Sequence, residues 1–220
     1  MSYSELWGLF PYLLEGVIST ILISAIGLII GFAMGTPIAM SRVYGGKIAR
    51  FLGMVYVVVL RGVPSIVVLF IAYYVLAGTI NLPPFLAGCA ALGVCSSAYQ
   101  AEIFRGAILG VSPGQMLAAR ALGMTQRQAV VEIVLPQALR NAIPGWSNES
   151  AVVLKDSSLV YAVGLTELMR RAQQINGAAH MPMLIFGVTG VIYFLLTYGT
   201  NRLLDWVERE VKIPEMQEAR

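Results

Sequence analysis

Charge is what this sequence has least of. Only 12% of its 220 residues are Asp, Glu, Lys or Arg, roughly half the share of an ordinary soluble domain, and this excludes a conventional water-soluble globule. Histidine is scarcer still. His180 is the only one, so no histidine pair is available to bind a metal. Cys89 and Cys95 both lie in an apolar stretch, where a reduced thiol acts as a small hydrophobe, and a disulfide is the poorer reading. No Gly-x-x-x-x-Gly-Lys-Ser/Thr phosphate loop is present, so a pump built on this chain would need an ATPase on another polypeptide. The formal charge of +3 is too small to point to nucleic acid. The first fifteen residues carry Glu5 and Glu15 but no Lys or Arg, the reverse of a signal-peptide n-region, so the first apolar segment is expected to stay in the mature chain.

What fills the sequence is apolar surface. Hydrophobic residues make up 57% of the chain and mean hydropathy is +0.73. The runs 17–33, 51–60, 66–76 and 182–196 contain no charge, and their natural solvent is lipid hydrocarbon. A helix crossing a bilayer takes about 20 residues, which leaves room for five. Hydropathy places them at 14–40, 50–77, 84–109, 136–155 and 181–204. The fold expected is an all-α integral membrane domain over 1–220, with two long polar connections at 110–135 and 155–180. Eleven of the 15 Lys and Arg fall on one side of such a topology, which puts the N-terminus outside, the C-terminus and 110–135 in the cytoplasm, and 155–180 outside. Trp7, Tyr12 and Trp206 are candidates for anchoring at headgroups; Trp146 lies deeper and could line a cavity. His180 reads as an interfacial residue, and the ten scattered Met as packing or lipid-facing positions.

Ionisable residues at membrane depth are costly, so Arg61, Glu102, Glu149 and Asp156 are candidate functional groups. Glu149 and Asp156 are seven apart and share one face of a helix, flanked by Asn148 and Val152. Two carboxylates aimed into one cavity repel unless a cation sits between them, and an amino acid's ammonium is such a cation. Ser96, Ser97 and Tyr99 could hydrogen-bond the rest of that ligand. The alternative is structural: Asp156 capping a helix or pairing with Lys155 or Arg61, and Glu149 closing a salt bridge. For Arg61 and Glu102 the structural reading is preferred, an ion pair joining the second and third spans near a kink at Pro64.

The inner connection carries the most specific pattern: Ala118-Ala119-Arg120-Ala121-Leu122-Gly123, nine residues, then Ile133-Val134-Leu135-Pro136. It predicts a short helix, a C-cap or tight turn at Gly123, and a second helix over 126–134 before Pro136 opens the next span. A helical pair of this kind is either a lever or an interfacial anchor. The pattern resembles the Ala-Ala-x-x-x-Gly-x-nine-Ile-x-Leu-Pro coupling loop of ABC importer permeases. Further points agree: 16–42 resembles the first permease helix, Arg61-Gly62-Val63-Pro64 the elbow of the second, and Tyr99-Gln100-Ala101-Glu102-Ile103-Phe104-Arg105-Gly106 the end of the third. Lys155-Asp156-Ser157-Ser158-Leu159 and Glu167-Leu168 are similar to the polar amino acid branch, with its type I (MetI-like) importer fold.

That resemblance implies that Ala118, Ala119 and Gly123 contact a cytoplasmic ATPase while Ile133, Leu135 and Pro136 brace the contact, and that Glu149 and Asp156 belong to a ligand cavity. It implies a non-catalytic subunit of the bacterial inner membrane that binds no cofactor, with ATP and Mg on a separate ATPase pair. A second permease, identical or homologous, and an extracytoplasmic binding protein would complete the importer, and the ligand would be a cationic or zwitterionic amino acid. Leu117 stands where such permeases commonly carry Glu, so the charge-assisted contact to the ATPase is lost or supplied by a different second permease. Other readings to be separated are an importer of compatible solutes or opine-like derivatives, a passive channel or structural membrane protein, and an intramembrane hydrolase, which would need a nucleophile paired with a base or a metal motif.

Overall fold

Glycine and proline decide where this chain turns. A computed structural model describes residues 8 and 10–211; Trp7 and the charges at 212 and 220 used in the orientation reading lie outside the described residues. Helix α1 (Phe10–Tyr44) runs 35 residues without interruption, about 52 Å, and only Gly45-Gly46 separates it from α2 (Lys47–Gly62). Val63 is then forced into an extended conformation, φ −99° and ψ 139°, because it precedes Pro64. Helix α3 (Ser65–Gly78) leaves at a bend of 114°. The elbow expected at Arg61–Pro64 within 50–77 is there, and it divides that stretch into two helices, since Pro64 offers no N–H to continue the ladder.

Helix α4 (Pro84–Leu109) has the expected limits, opening on Pro84, whose missing N–H costs nothing in a first turn. It lies at the centre, packed by α1, α2, α3 and by α7 (Leu135–Asp156). The close approach of α1 depends on Gly27, Gly31 and Gly35, four residues apart on one face. A Cβ at Gly31 would come within 2.5 Å of Gln100 Nε2, and one at Gly35 within 2.8 Å of the Ser97 carbonyl oxygen. Small residues at such a crossing let backbones approach.

Between α4 and α7 the chain forms α5 (Pro113–Ala121), a turn at Gly123 with φ +85°, and α6 (Gln126–Gln128), which opens on a capping box between Thr125 and Gln128. The second helix does not end before Pro136 as expected. It widens into a π-helical stretch (Ala129–Val134) and continues unbroken into α7. Pro136 lacks an N–H and crowds the preceding carbonyl, and the wider turn accommodates it. After α7 come a 3₁₀ segment (Ser157–Val163), a left-handed Gly164, α8 (Leu168–Ala179), a left-handed His180 and α9 (Pro182–Val211). Helix α8 packs on α1 and on α9, with Leu13, Leu168, Ala172, Ile175 and Ile185 in one cluster, and α9 also lies against α7. No strand occurs among the described residues.

Two helices, α1 and α9, are long and apolar enough to cross a membrane, and the bent α2–α3 pair makes a third if it is one span. With 26 and 22 residues, α4 and α7 reach about 39 and 33 Å. They are less apolar because each has helices rather than lipid on much of its surface.

Candidate functional site

Where α4 and α7 face each other, a buried polar chain replaces hydrophobic packing. Glu149 is 5% exposed, and its Oε1 accepts a 2.6 Å hydrogen bond from Ser96 Oγ. Ser96 Oγ accepts from Gln100 Nε2 at 3.1 Å, which also donates to the Leu28 carbonyl, and Gln100 Oε1 accepts from Trp146 Nε1 at 2.9 Å. On the neighbouring face Tyr56 and Ser97 share a 2.6 Å hydroxyl contact. Gln100 is not among the residues expected here, and Trp146, expected at a cavity, is joined to it. Their positions were legible, since Gln100 follows Ser96 by four residues and Trp146 precedes Glu149 by three, one helical turn in each case.

No ion pair closes on Glu149 and none on Asp156 among the described residues, so the structural alternatives for this pair do not form. Asp156 is half-buried at the end of α7. The charges acting on Glu149 are Asp156, of like sign, and Arg61, of opposite sign. Arg61 is placed by the elbow, with its guanidinium 5.1 Å from the Tyr99 ring centroid.

The expected Arg61–Glu102 ion pair is corrected. Glu102 is held by Arg42 at the end of α1 and by Arg105 one turn along α4. Depth is the reason: Glu102 lies seven residues, about 10 Å, from the end of α4, whereas Arg61 lies about 21 Å from the start of α2. Asn148 is not brought to Glu149 either. It is exposed, about 100° round the helix from its buried neighbour.

On the 110–135 connection, Ala118 and Gly123 are exposed as a docking knob requires, but Ala119 is not; it is 4% exposed, on the side that packs against the π-helical stretch. The largest exposed apolar groups are Leu117 and Leu122, at 69% and 84%. Of the three bracing residues, Ile133 and Leu135 are half-buried, the latter against Ile108, Val111, Val134 and Ala138, while Pro136 is exposed. The 110–114 run has the Gly-x-Ser-x-Gly spacing of a nucleophile elbow, yet Ser112 is an exposed N-cap accepting from Gly114 N–H at 3.3 Å, between two helices rather than after a strand.

One buried carboxylate escaped the sequence reading. Glu167 is fully buried; its oxygens accept from Met169 N–H at 2.7 Å, Arg170 N–H at 2.8 Å and Tyr193 Oη at 2.7 Å, while Thr20 Oγ1 accepts from Leu168 N–H. Burial pushes its carboxyl above the usual range, and Tyr193 and the two backbone donors pull it back. It thus caps α8 and ties it to α1 and α9. Tyr12 donates to Gln174 at 2.6 Å and lies under Arg171, 4.2 Å away. Glu167→Ala strips the cap and orphans Tyr193, and is expected to cost about 2–4 kcal/mol, read as a lowered thermal midpoint of the purified chain; Glu167→Gln should recover part of it.

The sequence matches the family of the binding-protein-dependent transport system inner membrane component over residues 27–213. It is 33% identical over 214 residues to the glutamine transport system permease protein of Escherichia coli (strain K12), covering 96% of this chain and 98% of that one. It is 35% identical over 210 residues to a nopaline transport system permease protein of Agrobacterium fabrum, covering 90% and 87%. The fold superposes on an amino acid ABC transporter crystallised with histidines, with a TM-score of 0.85, 34% identity and coverage of 96% and 99%. An inward-facing methionine ABC transporter shares the fold at a TM-score of 0.84 and 21% identity, with coverage of 97% and 100%.

Proposed function

Because the chain belongs to the binding-protein-dependent transport inner membrane component family, we propose that it is the permease subunit of an ABC importer whose ligand is an α-amino acid. The ligand's ammonium lies at Glu149 and Asp156, and its carboxylate lies at Arg61. The observation that carries this reading is the buried Glu149, which has a serine hydroxyl for a partner and no ion pair, Arg61 acting on it only from beyond contact distance. A buried carboxylate without an ion-pair partner is costly to keep, and a cationic ligand removes that cost. Ser96 supplies a hydroxyl beside it, Tyr99 lies against Arg61, and Ser97 is on the neighbouring face bonded to Tyr56. The nopaline relative favours a second reading, an opine-like amino acid derivative, which presents the same ammonium and carboxylate groups.

Five spans follow when α4 and α7 are counted with α1, the α2–α3 pair and α9. Five helices wall half a pathway, so a second permease completes it. The orientation follows from the placement of Lys and Arg, with α5 in the cytoplasm and α8 outside. ATP and Mg belong to a separate ATPase pair, and a binding protein delivers the ligand to the outer face.

Leu117, Ala118 and Leu122 form the knob that enters the ATPase. An apolar residue at 117 suits an apolar groove there, since burying one leucine contributes about 1.5–3 kcal/mol. Leu117→Ala with Leu122→Ala is expected to weaken co-purification of the ATPase by about tenfold or more while leaving the fold intact. The test of the reading as a whole is ATP turnover by the assembled transporter in vesicles: ligand-loaded binding protein stimulates it if this is an importer subunit, and a channel or enzyme gives no stimulation.

A further inference from the structure

A groove of about 300 Å3 opens on the surface between α1, α4, α7 and the end of α9, and neither Arg61 nor Asp156 lines it. Its lining is Phe32, Phe104, Leu139, Ile143 and Trp146, together with Arg140 and Val211. Phe32 and Phe104 meet edge to face, 5.1 Å between centroids, and form a firm apolar floor. Arg140 is exposed and makes no ion pair among the described residues. It stands six residues, about 9 Å, before Trp146 along α7. An apolar groove whose lining includes an exposed guanidinium, between helices apolar enough to cross a membrane, fits an acyl chain along its apolar residues and a phosphate headgroup at the arginine.

The groove does not end at its wall. The ring of Trp146 lines it, while Nε1 of the same ring donates to Gln100, which donates to Ser96, which donates to Glu149. We propose that this groove is a site for an anionic phospholipid, and that the Trp146–Gln100–Ser96 chain relays its occupancy to Glu149. A chain that seats Trp146 holds Gln100 and Ser96 in place, and so fixes the carboxylate that receives the ligand. The second half rests on the ligand reading above; the first half does not.

The two halves separate experimentally. In the full chain carrying Trp7→Phe and Trp206→Phe, Trp146 is the remaining tryptophan. Brominated phosphatidylglycerol is expected to quench its fluorescence at about fivefold lower mole fraction than brominated phosphatidylcholine, and Arg140→Gln to abolish the difference. Equal quenching by the two lipids, or no quenching because a second permease covers the groove, overturns the site. For the relay, ligand-stimulated ATP turnover by the assembled transporter is measured in nanodiscs of phosphatidylcholine with and without phosphatidylglycerol. The unaltered chain responds at lower ligand concentration with the anionic lipid. Arg140→Gln loses that gain and keeps its activity in phosphatidylcholine; Trp146→Phe keeps an aromatic ring, though a smaller one, removes the donor and also loses the gain. A gain that survives Trp146→Phe overturns the relay. If no ligand stimulates turnover in either lipid while selective quenching persists, the ligand reading fails and the lipid site stands.

Discussion

Glu149→Gln is expected to weaken amino acid binding by about a hundredfold, the loss that follows when one member of a buried, hydrogen-bonded charge pair is removed. The substitution keeps the side chain's size and an oxygen to accept from Ser96 Oγ, so the loss reports the charge and not the packing. Its effect on stability has the opposite sign. A buried carboxylate with no ion-pair partner is itself a cost, so the purified variant without ligand melts no lower than the parent. Asp156→Asn, at a half-buried position, is expected to cost about tenfold. The measurement is uptake into proteoliposomes against amino acid concentration, and both substitutions together leaving uptake of basic and neutral amino acids unaltered would refute the site. Arg61→Gln separates the two ends of the ligand: it should impair every substrate with a free α-carboxylate and spare an amine analogue without one.

Gly35→Leu is expected to remove folded chain almost completely. The added side chain meets the Ser97 carbonyl oxygen at 2.8 Å and the Ala101 N at 3.0 Å, both backbone atoms that cannot turn aside. Overpacking of this kind costs about 3 kcal/mol or more, a large part of a domain's net stability. Gly187→Leu is the control, because nothing lies within 4 Å of a Cβ there. The monodisperse fraction in size-exclusion chromatography should fall several-fold for the first and hold for the second. Equal recovery of both would mean that α1 and α4 are not in close contact. Gly31→Ala is the milder and more informative neighbour, since its Cβ displaces the Gln100 amide and should loosen the chain to Glu149 before it unfolds anything.

The boundaries legible in the sequence were those written by residues with backbone consequences. Pro84 marked the start of α4, Pro136 marked the region where α7 begins, and Gly123 marked the left-handed turn. Hydropathy averages over a window and registers no direction, so the elbow in 50–77 was legible only from Pro64, and its 114° angle was not. Helical periodicity placed Glu149 and Asp156 on a common face because both belong to one rigid helix. It carried no information about relative depth between helices, which is why Arg61 was matched to Glu102 while Arg42 and Arg105 hold that carboxylate. Ala119 was matched from a motif that specifies residue type and not which side faces out. Glu167 gave no periodic signal, since it precedes a helix whose cap becomes visible only when α1 and α9 close over it. The four-residue spacing of Gly27, Gly31 and Gly35 was in plain view as a mark of close helix crossing.

The π-helical stretch joins the short helix after the exposed turn at Leu122 to the helix that carries Glu149 without a break, and Pro144 lies inside that helix below Glu149. Glu149 lies fourteen residues beyond Leu135, about 21 Å up that rod, so a tilt of about 10° at its foot swings the carboxylate sideways by about 4 Å. That excursion exceeds the reach of the 2.6 Å bond to Ser96. The grip on a passenger would be released by the same stroke that tips the rod, with no separate latch.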